Sequence, residues 1–162
     1  MERVEHPILP LYNRASKVLV LGSFPSVKSR EAMFFYHHPQ NRFWRVISGV
    51  FGESVPVTIP EKRDLLLRNQ IAVWDVIQSC EITGSSDSSI RNVVANDLSE
   101  ILNSSQIRQI IANGSTSYGL YMKYIFPQTG RDIIKLPSTS PANAACSYEK
   151  LLEAWSIIRI DI

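Results

Sequence analysis

The stretch KVLVLGS, residues 17–23, decides the fold. It is an unbroken aliphatic run that ends in glycine, with no polar residue on alternate positions. Such a run suits a strand covered on both faces, and strands of that kind belong to parallel sheets whose return connections are helices. Reading outward supplies the connections. In residues 41–52, Phe43, Ile47, Val50 and Phe51 fall at helical spacing and Gly52 supplies a stop. Residues 60–69 read as a helix with proline at its start, leading into IAVWDV (71–76) as a second strand. Residues 81–92, EITGSSDSSIRN, read as a polar loop. An Asn-capped helix (96–105), a third strand (106–115), a helix (115–126), a fourth strand (131–140) and a last helix (147–159) complete the chain. This alternation predicts one α/β domain over residues 1–162. It would be a three-layer α/β/α sandwich around a four-stranded, mainly parallel sheet, with right-handed crossovers.

Composition narrows the function classes. The chain has 162 residues, 44% hydrophobic and 20% charged, with a net charge of +2. Those are the proportions of a folded globular protein, with room for one full core. Residues 1–50 carry seven Lys/Arg against three Glu, a local net of +4, and all three histidines. A basic end of that kind can attract phosphate. The two cysteines, Cys80 and Cys146, lack CxxC spacing, which excludes a four-cysteine metal site within one chain. The N-terminus, MERVEHPILPLYNR, has charges where a signal peptide needs an apolar run, and no stretch approaches a membrane span. A cytoplasmic protein with reduced thiols is expected.

In open α/β sheets, ligands bind beyond the carboxyl ends of the strands. Those ends read GSFPSVKS, WDVIQS, NGSTS and LPSTSPAN, all small, polar or flexible. The first leads into YHHPQNRFWRVI (36–47), dense in polar and stacking groups. Neither GxxxxGK[ST] nor GxGxxG occurs, so no nucleotide-phosphate loop is supported. Ser23 could be a strand-end nucleophile with His37 or His38 as its base, but there is no G-x-S-x-G elbow. Adjacent His37 and His38 diverge on an extended chain and have no partner at ligand spacing, so no metal site is expected. Each polar residue also has a plainer reading. Asn41 could cap the helix beginning near Arg42, Asp75 could be a cap or an ion-pair partner, and Arg42 and Arg45 could be solvated helix surface. Trp44, Trp74 and Trp155, and the Tyr118, Tyr121 and Tyr124 stripe, read as packing.

Taken in order, GSFPS, YHHPQNRFW beginning fourteen residues after Gly22, AVWDV, SDSSIRN, IIANGS and LPSTSPAN resemble the uracil-DNA glycosylase superfamily. The resemblance is nearest to its hypoxanthine-DNA (deoxyinosine) glycosylase branch, with the mismatch-specific uracil/thymine enzymes as further relatives. It covers nearly the whole chain, and HPQNRFW is its most specific element. It implies hydrolysis of the N-glycosidic bond of a base flipped out of DNA, without metal or cofactor. In mismatch-specific relatives the first motif carries a water-positioning asparagine, and here Phe24 stands in its place. A phenyl ring cannot hold water by hydrogen bonds.

The resemblance instead implies Asn41 as the catalytic amide, orienting water through its carbonyl. It implies Tyr36 as the aromatic stacked on the base, and backbone N–H groups around Ser23 and Phe24 as donors to a base oxygen. His38 would shape the pocket or touch phosphate. Asp75 would accept N1–H of hypoxanthine or N3–H of uracil. Ser138, Thr139 and Ser140 would grip phosphates, with Pro141 and Ala142 as the wedge and Arg42 as a further phosphate contact. The expected partner is DNA containing deaminated bases, engaged by a monomer in the cytoplasm, associated with the nucleoid in a prokaryote. Hypoxanthine is the favoured substrate; a uracil or mismatch glycosylase and a non-catalytic DNA-binding module are the alternatives.

Overall fold

A computed structural model describes residues 2–159. Its strands are β1 (Glu2–Glu5), β2 (Val18–Gly22), β3 (Ile71–Asp75), β4 (Ile77–Ile82), β5 (Arg91–Ala95), β6 (Gln109–Asn113) and β7 (Ile134–Leu136). The helices are α1 (Val27–Ala32), α2 (Phe43–Val50), α3 (Ile59–Arg68), α4 (Ser99–Asn103), α5 (Ser115–Tyr124), α6 (Phe126–Thr129) and α7 (Tyr148–Trp155). Short 3₁₀ turns occur at Asp87–Ser89, Pro141–Asn143 and Ser156–Ile158. Among the described residues, no helix is long and apolar enough to cross a membrane.

The strand that decides the fold sits where its composition demands. β2 lies inside a four-stranded sheet of order β3-β2-β6-β7, every pairing parallel. Its side chains alternate between two cores, as the two-residue period of a strand requires. Val18 and Val20 pack with Phe43, Ile47, Leu65, Leu66, Leu151 and Trp155, so α2, α3 and α7 cover one face. Leu19 and Leu21 pack with Leu98, Ile101, Tyr121 and Ile125, so α4 and α5 cover the other. All four side chains are at most 1% exposed, each contributing about 1.5–3 kcal/mol of burial.

Register then builds the site. Gly22 pairs with Asp75 and Asn113 pairs with Leu136, while Leu21 pairs with Ala112 one residue earlier. The carboxyl ends of β2, β3, β6 and β7 therefore finish side by side, with small or polar residues at three of the four tips.

Several expectations need correction. A second, antiparallel sheet of order β1-β4-β5 was not legible. It encloses a small core of Phe24, Ile77, Cys80 and Ile82. Residues 81–92, read as one polar loop, contain the end of β4, a 3₁₀ turn and the start of β5. The short helix α1, capped by Ser26 accepting from the Ser29 N–H, was also missed. Asn96 does not cap α4: its buried amide donates to the Asp75 and Ile77 carbonyls, and Asp97 Oδ1 accepts from the Ser99 N–H instead. The third and fourth strands are shorter than expected at both ends, and of the residues lost only Ser138, Thr139 and Ser140, after β7, line the site.

Leu19→Ala should lower unfolding free energy by roughly 2–5 kcal/mol through cavity formation. Val57→Ala, at a side chain 80% exposed, should change it by less than about 0.5 kcal/mol. Urea titration of both variants checks the contrast.

Candidate active site

The strand ends open into a cavity of about 530 Å³. Its floor starts at Gly22. A Cβ built there would lie 2.4 Å from Asp75 Oδ1 and 3.2 Å from the Tyr36 hydroxyl, so only hydrogen leaves room for both groups. Asp75 is 4% exposed. Its Oδ2 accepts from His6 Nε2 at 2.7 Å, and His6 Nδ1 accepts from the Ile8 N–H at 3.2 Å. The second contact leaves Nδ1 without a proton, so His6 meets Asp75 as a neutral Nε2–H donor. Phe24 and Trp74 pack edge-on against the His6 ring, and Phe35 packs tilted. The Trp74 indole N–H donates to the Ile8 carbonyl at 3.0 Å, which fastens this N-terminal segment under the floor.

Tyr36 forms a wall. Its backbone is in the left-handed region (φ 50), and its ring stacks on Phe43 with centroids 4.0 Å apart. The Trp44 indole N–H holds the Tyr36 carbonyl at 3.0 Å. Burial pushes the Tyr36 phenol well above its ordinary range, and the Asp75 charge adds to the shift while the Asn113 side chain opposes it.

A polar relay forms another part of the lining. Asn113, the last residue of β6, donates from Nδ2 to Thr139 Oγ1 (3.0 Å) and accepts the Thr139 N–H (3.0 Å). Thr139 Oγ1 donates in turn to Asn41 Oδ1 at 2.9 Å. Asn41 Oδ1 also accepts the Phe43 N–H at 2.9 Å, just ahead of α2. A carbonyl oxygen has two acceptor sites, and both are filled from inside the protein. What Asn41 presents to the cavity is its amide NH₂.

Ser23, Phe24, Tyr36, His38, Asn41, Asp75, Ser138, Thr139, Ser140 and Pro141 all line this one cavity. Ala142 lines it too, so eleven of the twelve positions that the sequence nominated converge.

Comparison with known proteins shows the family. Residues 9–159 match the family model described as the uracil DNA glycosylase superfamily. The chain belongs to the uracil-DNA glycosylase superfamily. A hypoxanthine DNA glycosylase of Methanosarcina acetivorans is 32% identical over 89% of this chain and 91% of its own length. A protein of the same name from Methanosarcina barkeri is 29% identical over 83% and 85% of the two chains. The solution NMR structure of a candidate uracil DNA glycosylase from M. acetivorans superposes with a TM-score of 0.81 at 29% identity, covering 96% of both chains.

Within this superfamily frame, three nominated residues behave differently from expectation. Arg42 does not line the cavity: its guanidinium donates to the Cys146 (2.6 Å) and Asn143 (3.0 Å) carbonyls and ties down the turn after Pro141. Thr139 is fully buried and acts as the hub of the relay, so its hydroxyl is not offered to phosphate. The Asn41 carbonyl is occupied and cannot orient water as expected. His38 Nδ1 accepts the Gln40 N–H at 3.1 Å, so its Nε2 is left as the donor. His37 stands outside the cavity; burial and the nearby Lys62 charge lower its pKa.

Sequence reasoning missed His6, Asn113 and Asp87. Ser85, Ser86, Asp87 and Ser88 form a cavity wall, and Ser23 Oγ donates to Asp87 Oδ1 at 3.1 Å. The SDSS run carried the signal, but its place beside β2 is a property of the second sheet.

Gly22→Ala should cost about 1–3 kcal/mol as the carboxylate is displaced. Gly119→Ala, on α5 with open space around it, should gain up to about 1 kcal/mol; thermal melts distinguish them. Arg42→Ala should lower the melting temperature yet leave the dependence of log Kd for DNA on log[salt] unchanged. A phosphate contact would instead reduce that slope by about 0.9.

Proposed function

We propose that this cavity receives a deaminated base extruded from DNA, with hypoxanthine preferred, and that the protein hydrolyses its N-glycosidic bond. The convergence of Asn41, Tyr36, Phe24 and Asp75 on one cavity at the sheet's carboxyl edge carries the reading. The hypoxanthine DNA glycosylase name of the two Methanosarcina relatives supports the choice of base.

Extrusion costs a few kcal/mol, least for a mispaired base such as hypoxanthine. Tyr36, braced by Phe43 on one ring face, offers the other for stacking, worth about 1–3 kcal/mol. The Ser23 and Phe24 N–H groups, which have no internal acceptor among the described residues, donate to O6. Asp75 accepts N1–H. Adenine presents a lone pair at N1 and an amino group at C6, so it reverses both contacts; a site built for such a pattern rejects the reversed one strongly. The same carboxylate and amides match N3–H and O4 of uracil, which makes uracil the enzyme runner-up. As the C1′–N9 bond breaks, negative charge develops on the purine. Asn41 Nδ2–H₂ and His38 Nε2–H are donors preorganised to stabilise it, and one such donor is worth about 10²–10³ in rate.

A duplex with one deoxyinosine, treated with the protein and then alkali, should break at that position, with a uracil duplex run in parallel. Asn41→Ala should lower the single-turnover rate by about 10²–10³-fold while Kd for the lesion duplex changes little. Intact deoxyinosine DNA beside cleaved uracil DNA selects the runner-up, and no release of either base rejects both.

A further inference from the structure

Hydrolysis needs an acceptor for the proton of the attacking water, and the relay leaves few candidates. Both acceptor sites of Asn41 Oδ1 are filled. His38 presents a donor, its Nδ1 being occupied by the Gln40 N–H. Two carboxylates line the cavity, Asp75 and Asp87, and their surroundings differ. Asp75 is sunk in the floor, with Oδ2 on His6 and Oδ1 packed against Gly22. Asp87 stands on the loop between β4 and β5, with Oδ1 fixed by the Ser23 hydroxyl at 3.1 Å. Its Oδ2 has no internal donor among the described residues. The loop is anchored from α1: Arg30 donates to the Gly84 carbonyl at 3.2 Å, and the Val27 N–H donates to Ser85 Oγ at 2.9 Å.

We infer that Asp87 is a catalytic residue that holds the attacking water and takes its proton, an inference that rests on the glycosylase reading above. The water oxygen bonds to C1′ as the C1′–N9 bond breaks. The bonding pair leaves with the purine, and the water proton passes to Asp87 Oδ2. The products are an abasic sugar with a C1′ hydroxyl and the purine anion, which takes a proton from solvent to become the free base, and Asp87 returns its proton to solvent. Although Asp87 is exposed at the cavity rim, partial desolvation of its carboxyl raises it from its ordinary value; the Ser23 hydrogen bond opposes the shift and the Asp75 charge adds to it. A more basic carboxylate is a better acceptor near neutral pH. The charged and titratable groups around it are Asp75 from the floor, Tyr36 and His38 across the main cavity, Cys80 from β4, Arg30 from α1, and Arg91, Lys123 and Tyr124 across a smaller adjoining cavity.

The test is single-turnover base release from duplexes carrying hypoxanthine, xanthine or uracil, across pH, with Kd for the lesion duplex measured alongside. D87N should lose at least ~10²-fold in rate with Kd little changed and a native melting temperature. The wild-type rate should fall on the acid side as Asp87 becomes protonated, and D87N should lack that limb. D87E should recover part of the rate. Ser23→Ala, by removing a hydrogen bond that favours the charged form, should move the acid limb to higher pH. A D87N rate within about threefold of wild type, or a loss confined to Kd, overturns the inference while leaving the glycosylase reading intact. A wild type that releases none of the three bases overturns both.

Discussion

A carboxylate oxygen lies against the Cα of Gly22, where any side chain would strike it at 2.4 Å. That approach is possible because β2 and β3 run parallel in a register that pairs Gly22 with Asp75. The sheet, the two helix layers and the aliphatic run of β2 together bring one charge to the floor of one cavity. Everything above the floor is arranged around that charge. His6 secures its orientation from below, the Tyr36 hydroxyl is buried beside it, and the Ser23 and Phe24 amides follow the same glycine.

Loops at the edge of a sheet are usually mobile, yet here they are tied to the core by a repeated device. Each tryptophan donates its indole N–H to a carbonyl in a segment that builds the site: Trp44 to Tyr36, Trp74 to Ile8, and Trp155 to Pro137. The packing role read from sequence was correct but incomplete, because the polar end of each indole sets a loop while its ring fills the core. The Asn113–Thr139–Asn41 relay and the two Arg42 contacts add lateral ties between the HPQN and PSTS segments. The groups lining the cavity are therefore already positioned, and a nucleotide bound there would have little ordering cost left to meet.

How much of this could be read from residues alone follows from the range of each interaction. The four-stranded sheet was legible because burial on both faces leaves a local mark, the unbroken VLVL of β2. The strand tips were legible because they follow from chain order. The second sheet was not: β1 reads ERVE, three of its four residues are exposed, and only pairing with β4 makes it a strand. His6 could not be nominated, since its value comes from Asp75, sixty-nine residues away. Asn41 shows a subtler limit. Its type and position were correctly singled out, but which end of its amide faces the cavity depends on Thr139, ninety-eight residues on. That detail reverses what the group can offer, from acceptor to donor.

The reversal bears on the electrostatics of bond cleavage. Because His6 Nδ1 takes the Ile8 N–H, His6 is a neutral donor to Asp75, and the pair is not a pair of opposite charges. A departing base acquires negative charge of its own, and over a bare carboxylate it would be repelled in a region of low dielectric. A site with such a floor must therefore surround the leaving group with donors and keep further acceptors away from it. That is the pattern on the cavity wall: the Asn41 and Thr139 oxygens are consumed internally, and the amide NH₂ and the His38 N–H are what remain. The other lining carboxylate, Asp87, stands on a different loop, between β4 and β5, where an acceptor would serve water rather than the base.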